Sequence, residues 1–60
     1  MSYEIVKARI RNFLNKYNSR ISVGIVAQEI NASREVARKA LEMLCKDRFL
    51  VREDREYRIK

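Results

Sequence analysis

From Tyr3 to Tyr17 the apolar positions Val6, Ile10, Phe13, Leu14 and Tyr17 recur every three or four residues. That interval lines one face of an α-helix. Asn15, Asn18 and Ser19 mark where this first helix frays. Ile21 predicts a short extended strand, after which the Ser22 hydroxyl can accept from a free amide and start a second helix. Val23, Val26, Ala27 and Ile30 would form its inner face, and Asn31 suits the left-handed conformation that ends a helix. Ser33 would cap a third helix with Ala37, Ala40, Leu41 and Leu44 inward, the alanines permitting close approach to a neighbour.

The period then changes from about 3.6 to 2. Phe49 and Val51 alternate with Leu50 and Arg52, and Tyr57 and Ile59 alternate with Glu56, Arg58 and Lys60. Glu53, Asp54 and Arg55 would form the turn, so Phe49–Lys60 predicts an antiparallel hairpin, with Phe49, Val51, Tyr57 and Ile59 paired across it. Tyr57 and Ile59 are expected to face the helices. Ile5, Ile25 and Met43 fall off the inner helix faces. Met43 would cover the hairpin or the helix flanks; Ile5 and Ile25 either form a small partner or dimer contact or are singly exposed, as surface apolar residues often are.

Sixty residues make one domain, 1–60, near the lower limit for folding alone, where only ~60% of the extended-chain surface is buried. A hydrophobic fraction of 47% argues against disorder despite 37% charged residues. The absence of proline, with Gly24 the only glycine, leaves no flexible linker. A single cysteine, Cys45, excludes an intramolecular disulfide and reads as a half-buried filler; with no histidine, zinc and histidine-based catalysis are not expected. The acidic residues are scattered and no nucleophile has a base beside it, so neither an enzyme nor a cofactor is expected. No apolar run approaches the ~20 residues of a membrane span and no signal-peptide block begins the chain, which predicts a soluble, cytoplasmic protein without a membrane partner.

A formal charge of +6 points toward an acidic partner, nucleic acid foremost. The excess is uneven. Lys7, Arg9, Arg11, Lys16 and Arg20 against Glu4 give Met1–Arg20 a charge of +4. Arg34, Arg38, Lys39 and Lys46 against Glu29, Glu35 and Glu42 give Ile21–Lys46 only +1. Asp47–Lys60, with Arg48, Arg52, Arg55, Arg58 and Lys60 against Asp47, Glu53, Asp54 and Glu56, also carries +1. The third helix is therefore no simple basic stripe: Glu35–Lys39 and Glu42–Lys46 have the acid-before-base spacing that stabilises helices by ~0.2–0.5 kcal/mol each. Such a distribution favours broad phosphate contact over base reading. Tyr3 and Tyr17 could stack on bases, but their helical register assigns them to packing.

The order helix, short strand, helix, turn, helix, two-stranded wing resembles the winged helix-turn-helix superfamily over nearly the whole chain. The resemblance is carried by Ile21-Ser22, Val26-Ala27-Gln28-Glu29-Ile30, Asn31-Ala32-Ser33, Val36-Ala37-Arg38-Lys39-Ala40-Leu41 with Leu44, and Phe49-Leu50-Val51 with Tyr57-Arg58-Ile59. It implies a mainly α fold with a small β hairpin, whose third helix enters the major groove. Arg34, Glu35, Arg38, Lys39 and Glu42 would then face the groove, and Arg52, Arg55 and Arg58 would lie on the wing. Such domains usually carry a glycine after the third helix, where this chain has Asp47 and Arg48, and a longer, glycine-bearing wing loop. The stretch "ISVGIVAQEINASREVARKALEMLCKDRFLV" is also similar to the core of one basic small-subunit ribosomal family.

The expectation is a non-enzymatic nucleic-acid-binding module, with double-stranded DNA favoured over structured RNA, as in a small transcription regulator or chromatin-associated protein. Arg34, Arg38, Lys39, Arg52, Arg55 and Arg58 would position it, and Lys7, Arg9 and Arg11 would supply the general field. One alternative is a ribosome-associated protein docking on rRNA; another is a winged helix that binds a protein partner, or a second copy, within a larger assembly.

Overall fold

The computed structural model describes residues 2–17 and 20–60. Its elements are α1 (Tyr3–Lys16), β1 (Ile21–Ser22), α2 (Val23–Ile30), α3 (Arg34–Lys46), β2 (Leu50–Glu53) and β3 (Glu56–Ile59). Asn18 and Ser19, the expected fraying site of the first helix, lie outside the described residues.

Each helix begins at a serine. The Oγ atoms of Ser2, Ser22 and Ser33 accept from the amides of Glu4, Ile25 and Val36 at 3.3, 3.4 and 3.1 Å. Each bond satisfies a donor that the first helical turn leaves without a carbonyl. The last two helices also end alike. At α2, Asn31 takes φ 55°, while Ala32 N–H donates to the Ala27 carbonyl and Asn31 N–H to that of Gln28. At α3, Arg48 takes φ 64°, while Phe49 N–H donates to the Leu44 carbonyl and Arg48 N–H to that of Cys45. Both are Schellman closures, which satisfy orphan carbonyls by a residue of left-handed conformation. Asparagine tolerates that conformation; arginine bears the cost of its Cβ there.

The three helices pack on one another around a core of Val6, Ile10, Leu14, Ile21, Val26, Ala27 and Ile30 with Ala37, Ala40, Leu41, Leu44, Leu50 and Tyr57. The inner faces expected for α2 and α3 are thus observed, with Val23 only partly buried. Tyr17 departs from expectation. It follows the last residue of α1, is 48% exposed, and stacks on Phe13 with ring centroids 5.3 Å apart.

The hairpin forms, but as part of a three-stranded antiparallel sheet in the order β1-β3-β2. Ile21 pairs with Tyr57, which makes β3 the central strand. The expected inward parity of the first hairpin strand is corrected: Leu50, not Val51, is buried, and it pairs with Ile59, while Arg52 pairs with Tyr57. Residues directly opposite share a face. The reason lies one residue upstream, where the left-handed Arg48 spends Phe49 on closing α3, so the strand starts at Leu50. Phe49 still packs against the core, as the plug of the helix end. Asp54, with φ 61°, supplies the positive φ that a tight hairpin turn needs in the absence of glycine. No helix among the described residues is long and apolar enough to cross a membrane.

Candidate nucleic-acid interface

Successive helical residues are about 100° apart, so the bases of α3 do not share one direction. Arg34 and Arg38, one turn apart, line a shallow concavity with Val23 of α2 and with Glu35. Arg34 leans across α2. Its Nη2 lies 3.4 Å from where a Cβ on Gly24 would stand, an ordinary contact distance, so the guanidinium rests against α2 at Gly24. Arg38 continues the flank toward the hairpin. There the Tyr57 phenol is pushed up chiefly by burial, with Arg52 and Arg38 pulling the other way and Cys45 and Glu42 adding to the rise. One hydroxyl thus senses Arg38 from the helix and Arg52 from β2, and Arg52 is also its cross-strand neighbour. Arg52 is braced along the hairpin by donating from Nε to the Asp54 carbonyl at 3.1 Å. Arg55 is exposed in the turn beyond. Arg34 and Arg38 thus share one flank of α3 beside Val23, and Arg52 lies on the hairpin side, near Tyr57 and Cys45.

The other expected contact residues are placed elsewhere. The Lys39 ammonium sits over the Tyr3 ring of α1, 5.5 Å from its centroid, on the flank of α3 away from Arg38. Arg58 belongs to the outer sheet face, where its Nε is 3.0 Å from Glu53 Oε1, which also faces Arg20 Nε at 3.2 Å. The Arg58 guanidinium holds the Glu53 carboxyl below its usual range, and the charge of Arg20 adds to the pull.

Lys7 is the largest departure among the bases of α1. Only 8% of it is exposed, and its Nζ pairs with Glu4 at 2.9 Å and Asp47 at 3.2 Å. Its stem is buried while its head reaches two carboxylates at the surface, which is how long basic side chains cover apolar ground. Glu4, then Asp47, push its pKa up. Arg11 is half-buried, and Arg9 points to the α2 side of the helix. The helix-stabilising pairs expected within α3 are open: Glu35–Lys39 and Glu42–Lys46 are not among the ion pairs of the described residues.

Tyr57 and Gly24 were not singled out as site residues from the sequence. No family model, curated protein or solved structure matches the chain.

Proposed function

We propose that the chain is a winged-helix module that binds double-stranded DNA without catalysing a reaction, docking through α3 and the β2–β3 hairpin. The exposed Arg34 and Arg38 on one flank of α3, with Arg52 exposed on the hairpin near Tyr57, are the observation that supports this reading most. All three are exposed, and none is among the ion pairs of the described residues. Contact is with phosphates more than with bases, because Glu35 and Glu42 stand on the outer face of α3 and would repel a deeply inserted backbone.

Binding of the intact chain to a labelled duplex across a salt series tests this. Three neutralised phosphates give a log–log slope of roughly −2.7, a loss of about 40-fold between about 50 and 200 mM salt. Binding indifferent to salt, or confined to structured RNA, contradicts the assignment.

A further inference from the structure

Ile5 is 58% exposed, the most open of the large apolar side chains among the described residues. It stands at the rim of a mostly apolar cavity of about 130 Å³, lined also by Val6, Arg9, Ile30 and Ala32. A single water needs roughly 10–15 Å³ of such space, so the cavity accommodates one large side chain. Through Arg9 and Ile30 it continues into a second concavity that passes Phe13 and Lys16 of α1 and Glu29 of α2.

Ile5, Arg9, Asn12 and Lys16 are spaced by four, three and four residues, which sets them on one stripe of α1. The stripe runs roughly 16 Å at 1.5 Å per residue, about three helical turns. Arg9 and Lys16 join none of the ion pairs among the described residues, and Glu29 is the lone acid of the lining. An apolar cavity at one end and two uncompensated bases along the rest define the complement. A second copy fits poorly, since it would bring another chain of charge +6 against these bases. Nucleic acid would gain nothing from the exposed isoleucine.

We propose that the groove between α1 and α2 receives an acidic amphipathic segment of a partner protein, with one apolar side chain seated beside Ile5 and Ile30 and carboxylates meeting Arg9 and Lys16. This surface shares no residue with the α3–hairpin junction, so an occupant here leaves that junction uncovered.

Selection of the intact chain against a random peptide library tests the proposal. Enriched peptides are expected to be acidic, with apolar residues at helical spacing. Their affinity, measured by fluorescence anisotropy, should weaken about tenfold or more in Ile5→Ser and, separately, in Arg9→Glu/Lys16→Glu. Ile5→Ser alters an exposed side chain, and an unchanged thermal melt confirms that it folds. Failure to enrich any peptide, enrichment of neutral or basic ones, or unchanged affinity in both variants overturns the proposal. So does a self-association, seen by sedimentation, that Ile5→Ser abolishes, or an RNA oligonucleotide whose affinity falls in Ile5→Ser.

Discussion

Helices α1 and α3 both carry bases, yet they hold them in opposite ways. The segment containing α1 has the larger charge excess, but Lys7 is drawn into Glu4 and Asp47, Arg11 is half-buried, and Arg9 borders an apolar groove. The segment containing α3 carries only +1, but Arg34 and Arg38 stand open on one flank, with Arg52 on the hairpin side. Net charge along a sequence therefore does not measure the charge a surface can offer. What decides is which side chains the fold leaves without partners and brings together.

This comparison depends on a core that fixes α1, α3 and the sheet relative to one another, and the largest predicted effects break that core. Cutting the chain after Arg48 removes the buried Leu50 and Tyr57 and the strand that pairs with Ile21. The fragment is expected to show no cooperative unfolding; a sigmoidal thermal melt would make the hairpin dispensable. Leu41→Ala empties a fully buried site and should cost ~2–5 kcal/mol in denaturant unfolding. A change below about 0.5 kcal/mol, as for an exposed position, would mean that α3 is rotated from the register described.

A smaller change, of opposite sign, concerns the end of α3. Arg48 occupies a left-handed position that glycine takes without strain. Arg48→Gly should stabilise the domain by roughly 1 kcal/mol, less than the full 1–2 kcal/mol steric cost because glycine also loosens the unfolded chain. Destabilisation in the same assay would show that the Arg48 side chain contributes more than its backbone strain costs.

The smallest effects are those of pH, and they separate the ion pairs of Lys7 from those of Glu53. Lys7 has a raised folded pKa, so its contribution is fully present below roughly pH 10.4 and lost as pH rises through the folded value. Glu53 has a lowered folded pKa, held there first by Arg58. Its contribution is present above roughly pH 4.3 and lost as pH falls through the folded value. Glu53→Gln should therefore lower the Tm at neutral pH and match the parent chain near pH 2. A Tm difference independent of pH would assign the loss to shape, not to charge.

Features decided by neighbours in sequence were legible before the fold. Ser22, Asn31 and Ser33 act where the pattern places them, and Ala37, Ala40, Leu41 and Leu44 are buried as their spacing predicts. Features decided at a distance were not. The parity of β2 follows from the left-handed Arg48 and from the pairing of Leu50 with Ile59. Lys7 finds Asp47 forty residues away, and Arg52 comes near Tyr57 only because β2 pairs with β3. Of the candidate site, the residue types were readable. Their division between the two flanks of α3, with Lys39 over Tyr3 and Arg38 toward Tyr57, required the packed molecule.

The salt dependence of duplex binding in two double variants addresses the contrast between the helices most directly. Arg34→Ala/Arg38→Ala should flatten the log–log slope by about 1.8, since each lost phosphate contact contributes roughly 0.9. Arg9→Ala/Lys16→Ala should leave the slope unchanged, although it removes as many charges from the more basic segment. A larger flattening in the Arg9/Lys16 variant than in the Arg34/Arg38 variant would contradict the account and make α1 the nucleic-acid surface.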